Sequence, residues 1–430
     1  MRIVNLTKEE QDKALAALLR RSPANYPEQE AAVREIIERV RTEGDAALFD
    51  YEQKFDRCAL TPQTVRVSEA EIKEAYDSLD PQLIEVMRRA TANIRAYHEK
   101  QRTNSWMTTG EDGTILGQKV TPIAVSGCYV PGGRAVYPSS VLMNVIPAKV
   151  AGVRRIIVCT PPNGEGTCPA GTLVAADIAG VDEIYKAGGA QAIAAMAFGT
   201  ASVPRVDKIT GPGNIYVALA KKACFGYVGI DSVAGPSEIL VIADDSANPR
   251  YVAADLLSQA EHDPLASAIL LTTSRALAEA VSREIDGFLQ TLSRAEIIRQ
   301  SLERYGYIFV GETMDELTEA ANAIASEHLE IVTREPFEVM TKIRNAGAIF
   351  LGPYSSEPLG DYYAGPNHIL PTNGTARFFS PLGVDDFVKK SSIISYSKAA
   401  LEKAGGDIVR FAQSEGLTAH ANSIQVRMER

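Results

Sequence analysis

Several things are scarce or missing in this 430-residue chain, and each removes a class of explanation. No apolar stretch is long enough to span a bilayer, and the opening Met-Arg-Ile-Val-Asn-Leu-Thr-Lys-Glu-Glu lacks the apolar core of a signal peptide. The expectation is a soluble, cytoplasmic protein. Basic residues do not predominate: Lys and Arg total 44 against 54 Asp and Glu, for a formal charge of −10, with no long run of either sign. Nucleic acid is therefore not an expected partner. The five cysteines, Cys58, Cys128, Cys159, Cys168 and Cys224, are scattered and never spaced Cys-x-x-Cys, so neither a disulfide framework nor a cysteine zinc site is indicated. Cys128 sits in a glycine-rich turn, but no adjacent histidine or lysine marks it as an activated nucleophile. There is no G-x-G-x-x-G fingerprint, no H-E-x-x-H, no internal repeat and no low-complexity segment.

The length suggests two or three domains, since one core rarely serves a chain of this size, and a multi-domain enzyme fits. Glu28 to Arg41 and Asp80 to Gln101 carry apolar residues at helical spacing. After Gly127 short β-branched runs alternate with alanine-rich helical segments: Arg155–Val158, Glu183–Tyr185, Asp207–Thr210 and Glu238–Ala243. A second series follows at Ala268–Thr272, Tyr307–Val310, Leu329–Val332 and Gly347–Leu351. Such alternation predicts parallel sheets covered by helices, and two α/β units are expected. Residues 352–383 are rich in glycine and proline. The tail from Phe387 onward shows one helix, around Lys398 to Gln413, and no core of its own, so it is expected to pack on another domain or subunit.

The chain has only five histidines, and four of them lie in polar or turn-rich settings: Gln259-Ala-Glu-His262-Asp-Pro264, Ser326-Glu327-His328, Gly365-Pro-Asn-His368 and Thr418-Ala-His420. Histidine is both the commonest metal ligand and the side chain that titrates nearest neutrality. On the predicted helix ending at Asp263-Pro264, Gln259 and His262 are three apart and share a face; the plainer explanation is a histidine that caps a helix. Glu327 and His328 fall between a helix and the strand Leu329–Val332, where they suit proton transfer, or simply form an exposed cap. Leu359 to His368 reads as a binding loop with Asp361 as its better ligand, while His368 suits a structural bond equally well. His98, between Tyr97 and Glu99 on a charged helix end, reads as a solvated surface residue. Glycine turns at Gly127–Gly133, Ala187–Gln191, Thr210–Asn214 and Ala234–Glu238 suit backbone approach to an anionic ligand, or are plain tight turns.

As a set, Gly127-Cys-Tyr-Val-Pro-Gly-Gly-Arg134, Gly211-Pro-Gly-Asn214, Ile230-Asp-Ser-Val-Ala-Gly-Pro-Ser-Glu238, Gln259–Pro264, Ser326-Glu-His-Leu-Glu330 and Gly365-Pro-Asn-His368 closely resemble the histidinol dehydrogenases, in the family's order. The resemblance implies oxidation of L-histidinol to L-histidine through L-histidinal with two NAD and one zinc ion per subunit, the last step of histidine biosynthesis. It implies Gln259, His262, Asp361 and His420 as zinc ligands, a nitrogen and oxygen set that needs no cysteine. It makes His328 the general base and Glu327 the group that activates water. Ser237, Gln259, His262, His328, Asp361, Glu415 and His420 become substrate contacts, and Tyr129, Gln191 and Asn214 contacts to NAD. The implied fold is two incomplete Rossmann-like α/β/α domains in an aldehyde-dehydrogenase-like layout with small N- and C-terminal extensions. The expected division is an extension over 1–24, a first domain of 25–127 with 238–383, a second of 128–237, and a C-terminal extension over 384–430. In the homodimer that the resemblance implies, Glu415 and His420 complete the neighbouring site.

Overall fold

In the computed structural model, which describes residues 1–21, 26–132 and 137–429, the long apolar runs become strands buried on both faces. In Arg155–Thr160, Ile156 and Val158 point into one core while Ile157 and Cys159 point into another. Glu238–Ala243 does the same, with Ile239 and Val241 on one side and Leu240 and Ile242 on the other. A strand with two apolar faces is stable only in a sheet covered on both sides, the usual condition of parallel sheets.

Two such sheets result, both parallel. The first runs in the order Glu183–Lys186, Arg155–Thr160, Val125–Tyr129, Lys208–Thr210 and Gly229–Ile230. The second has six strands, in the order Arg2–Asn5, Gly306–Val310, Ser267–Thr272, Glu238–Ala243, His328–Val332 and Ala348–Leu351. The α/β class read from the sequence is the class observed. The N-terminal segment is an integral part of the second sheet: its strand forms an edge, and helix Lys8–Leu19 buries Ala14 and Leu18 against the face that carries Leu240 and Ile269.

Helices Pro27–Glu43 and Asp45–Phe55 place Val33, Ile36, Val40 and Leu48 on the five-stranded sheet, and Pro81–Glu99 covers its other face with Ile84, Met87 and Ile94. This packing differs from the expected grouping of residues 25–127 with 238–383. The amphipathic stripes of these helices meet the apolar face of the sheet that follows them in the chain, each fully buried aliphatic side chain contributing about 1.5–3 kcal/mol.

Both sheets belong to one compact unit, Met1–Gln101 with Ile123–Phe387; a smaller unit comprises Arg102–Pro122 with Val388–Arg430. In the smaller unit Ile115–Pro122 pairs antiparallel with Val388–Ser395 and with Trp106–Thr109. The tail carries more structure than its sequence suggests: beyond that strand, helix Lys398–Ser414 is followed by a second helix, Thr418–Met428. The chain reverses between them at Gly416, whose φ of 74° favours glycine. A strand reading Val-Lys-Lys-Ser-Ser-Ile-Ile-Ser is too polar to announce itself, and only its partner strand reveals it. Among the described residues no helix is long and apolar enough to cross a membrane.

Candidate active site

The amino-terminal ends of three neighbouring strands meet at one place: Glu238 opens one strand, His328 opens the next, and Gly347-Ala348 the third. Helix Met314–Ile324 ends there in an abrupt reversal at Ala325, a non-glycine residue at φ 54°, which turns Glu327 and His328 inward. Both are buried, so the exposed-cap alternative does not hold. The backbone N–H of Glu238 donates to Glu327 Oε2 at 2.9 Å, and the His328 Nδ1 lies 3.1 Å from the Glu238 carbonyl oxygen. A carbonyl only accepts, so Nδ1 carries a proton, and Nε2 is the nitrogen that can gain or lose one. That Nε2 is buried, has no hydrogen-bond partner among the described residues, and faces Asp361 Oδ1 at 3.6 Å.

Asp361 rides on a one-turn π-helical segment, Gly360–Ala364. Burial raises its pKa, but the neighbouring His328 and His368 outweigh this and hold it at about 2. Burial drives Glu327 the other way, up to about 8, against the pull of His328. For His328 burial acts to lower the pKa, and the charges of Glu327 and Asp361 overcome it, leaving the imidazole above its ordinary value. His328, Asp361 and His368 line a cavity of about 780 Å³, together with Ala348, Phe350 and Asn367.

Gln259 sits in the last turn of helix Pro249–Ala260, buried, with neither its Oε1 nor its Nε2 meeting a partner among the described residues. His262 follows the helix end with an accessible edge; burial of the rest of the ring lowers its pKa while nearby Asp361 opposes the shift. Ser237, half-buried, directly precedes Glu238. His368 sets its Nδ1 3.1 Å from the Asp361 backbone oxygen, which gives it the structural bond that the sequence left open. Glu415 and His420 lie in the smaller unit, at the end of one tail helix and within the other, and both are exposed.

Two residues were misjudged or missed from the sequence. His98 is not solvated: it is fully buried, with Nδ1 2.7 Å from Gln101 Oε1 and Nε2 3.4 Å from the Asn367 amide nitrogen, and that amide also donates to the Met143 carbonyl at 2.7 Å. Its charged neighbours were misleading. The spacing Met87, Thr91, Ile94, His98 puts it on the buried stripe of its helix, a signal the pattern did contain. Glu357 was not singled out, yet it is buried beside Asp361, accepts from Ser258 Oγ at 3.0 Å, and is pushed by burial to about 7. Nothing in a Ser-Glu-Pro stretch of a glycine- and proline-rich segment marks it.

The donor atoms of His328, Glu357 and Asp361 lie within 4.8 Å of one another, a grouping that could hold a metal. It shares only Asp361 with the expected ligand set. The buried amide of Gln259 bears on the same point: an unsatisfied buried polar group costs about 1–3 kcal/mol, so its oxygen is available to a ligand such as a metal or a water. Nitrogen and oxygen donors of these kinds suit zinc.

On the five-stranded sheet Tyr129 ends its strand and Asn214 follows the adjacent strand Lys208–Thr210, on either side of the point where strand order reverses; this is where α/β sheets bind nucleotides. Gln191 lies in the first turn of helix Gly189–Phe198. The glycine turns themselves are less open than their sequence suggests. The Gly188 amide donates to Glu52 Oε1, which also takes the Gln191 amide, each at 2.9 Å, and the Gly189 amide donates to the Tyr129 hydroxyl. The Gly211 amide donates to Asp231 and the Gly235 amide to Thr372. Asn214 caps its own helix, accepting from Tyr216 and Val217. These glycines serve close approach: a Cβ on Gly211 would lie 2.1 Å from the Tyr129 carbonyl oxygen. Gly133 and Arg134 of the first turn lie outside the described residues. Cys128 is buried and its thiol pushed far up, which removes it as a nucleophile.

Residues 19–428 match the family model described as histidinol dehydrogenase. The chain belongs to the histidinol dehydrogenase family. It is 61% identical over 401 residues to the histidinol dehydrogenase of Halalkalibacterium halodurans, covering 93% of this chain and 94% of that one. The Bacillus subtilis histidinol dehydrogenase is 57% identical over 414 residues, 96% of each chain. The crystal structure of the Elizabethkingia anophelis histidinol dehydrogenase superposes with a TM-score of 0.92 at 38% identity, covering all of this chain and 98% of that one. Family membership makes the chain an oxidoreductase of histidine biosynthesis, with histidinol as its small-molecule substrate.

Proposed function

We propose that the protein carries out the zinc-dependent, four-electron oxidation of L-histidinol to L-histidine through L-histidinal, with two NAD consumed per turnover. The observation that carries this reading is the placement of His328: one ring nitrogen is tied to a carbonyl and the other faces Asp361 at the cavity they share. In its neutral form that imidazole can take a hydroxyl proton as hydride departs, and the acidic neighbours that raise its pKa then stabilise the imidazolium it becomes. Glu327, held by a backbone amide and made a stronger base by burial, then in its ionised form removes a proton from the water that adds to the aldehyde.

Gln259, His262, Asp361 and His420 would hold the zinc. Bound zinc supplies a fixed point for the substrate's amine and imidazole, and its role is orientation. Ser237, Glu415 and the ligand residues would surround the substrate. Tyr129, Gln191 and Asn214 would meet NAD, the hydride acceptor in both steps, and the internal use of the glycine amides directs its phosphates away from those turns. On this reading residues 128–237 contribute the nucleotide contacts, and residues 238–383 the proton chemistry and every zinc ligand but His420.

A cytoplasmic homodimer, with Glu415 and His420 serving the neighbour's site, follows from the same reading. The smaller unit supports it by exposing Trp106, Met107, Ile394 and Phe411, a set of large apolar side chains suited to a subunit contact. The test is NADH formed from L-histidinol, counted per histidine. A ratio near two, abolished by chelation and restored by zinc, is expected; no NADH from zinc-loaded protein overturns the proposal.

A further inference from the structure

Glu238 is assigned no role by the family resemblance, yet its backbone serves both members of the proton-transfer pair. Its N–H holds Glu327 at 2.9 Å and its carbonyl holds the His328 ring at 3.1 Å. Glu238 is the first residue of its strand, and His328, registered against Ile239, is the first of the neighbouring one. At that end the ladder between the two strands has stopped, so both backbone groups are free to bind side chains. Where Glu327 and His328 sit therefore depends on where the Glu238 backbone sits.

Strand pairing holds Glu238 on one side, and its side chain anchors it further. The carboxylate Oε1 accepts from Arg21 Nη2 at 2.5 Å, with both side chains buried. Arg21 is itself held on every side: Nε donates to the Leu18 carbonyl at 3.2 Å, Nη1 donates to the Leu265 carbonyl at 2.7 Å, and the guanidinium lies 5.1 Å from the Tyr305 ring centre. Leu265 leads into strand Ser267–Thr272, which pairs with Glu238 on the side away from His328 through Ser267. One guanidinium thus ties the N-terminal helix, the lead-in to one strand and the first residue of the next.

We propose that Arg21 and Glu238 are positioning residues for the catalytic pair, so that the N-terminal segment, remote in sequence, sets the geometry of Glu327 and His328. The proposal rests on the roles assigned above to Glu327 and His328.

The test is Arg21→Met in the full-length protein, read in two ways. Steady-state kinetics of the zinc-loaded enzyme should show kcat lowered at least tenfold, with KM for L-histidinol and zinc content within twofold of wild type. Independently of turnover, ¹⁵N-histidine spectra of the metal-free protein resolve only five side chains, and the His328 Nδ1–H signal is identified by its loss in His328→Gln. In Arg21→Met that proton should exchange with solvent at least tenfold faster. A folded variant with kcat within twofold of wild type and an unmoved signal overturns the proposal. So does a fall in kcat that follows lost zinc or a raised KM, because the pair is then only structural. If Arg21→Met does not fold, Glu238→Leu, which removes the acceptor for Arg21 and keeps the backbone groups that hold Glu327 and His328, is measured in the same way, and unchanged kcat and exchange again overturn the idea. A wild-type protein without turnover, combined with the expected loss of His328 protection, sinks the functional reading and leaves the positioning role supported.

Discussion

Gln259 offers a prediction whose sign depends on the metal. Its amide is buried with both polar atoms unpartnered among the described residues, which in the metal-free protein should cost about 1–3 kcal/mol. Gln259→Met keeps the length and volume of the side chain and removes the unsatisfied groups, so the metal-free variant should be more stable than wild type by that amount. Unfolding entropy of about 2.1 cal/mol/K per residue, taken over 430 residues, is roughly 0.9 kcal/mol/K, so Tm should rise by about 1–3 °C. Zinc reverses the order. At a free concentration one hundred times its Kd, zinc stabilises wild type by about 2.7 kcal/mol, or about 3 °C, and a variant lacking one donor gains much less at the same concentration. The assay is thermal unfolding with chelator and across a zinc titration, with calorimetric zinc binding alongside. A variant less stable than wild type in chelator would show that the amide is satisfied in the protein. Equal zinc stabilisation of the two proteins would remove Gln259 from the ligand set.

Glu327 acts as a base only when ionised, and burial holds its pKa at about 8, so the oxidation of L-histidinal should slow as pH falls through about 8 and rise above it; single-turnover rates between pH 6 and 9 that stay flat would refute this. Glu327→Gln should retain the first hydride transfer and lose the second, seen as at most one NADH per substrate. His98→Leu removes the partner of Gln101 and Asn367 and should lower stability by about 1–3 kcal/mol in urea unfolding, while a loss below 0.5 kcal/mol would deny the buried bonds their role. Mixing His328→Ala and His420→Ala proteins, each inactive alone, should regain about a quarter of wild-type activity if each site draws on both subunits, since random pairing leaves one intact site in half of the dimers. No recovery after subunit exchange places His420 in its own chain's site.

How much was legible varies from residue to residue. Arg155–Thr160 and Glu238–Ala243 announced themselves because a strand buried on both faces must be continuously apolar, and that is visible locally. Glu327, His328 and Asp361 were nameable because their side-chain types are rare in such turn-rich settings, and the structure brings these three together. Gln259 was not nameable from spacing alone; its significance lies in the partners it lacks, and only packing shows that. His98 was legible by periodicity and was lost to its charged neighbours. The strand Val388–Ser395 and the helix Thr418–Met428 owe their pairing to elements distant in the chain, so their own composition says little.

By itself, then, the sequence determined the α/β class, most strands of the two sheets though not Arg2–Asn5, Val125–Tyr129 or Gly229–Ile230, the short list of histidines and acids, and, through the order of its motifs, the family. Those properties rest on local periodicity and on residue identity. The tertiary structure alone decided which turn amides were already taken, that Glu357 stands beside Asp361, that His98 braces the Gly365–His368 loop, and that Arg21 reaches Glu238. Each of these joins residues far apart in the chain, where burial and hydrogen-bond satisfaction are settled by neighbours that no local pattern names.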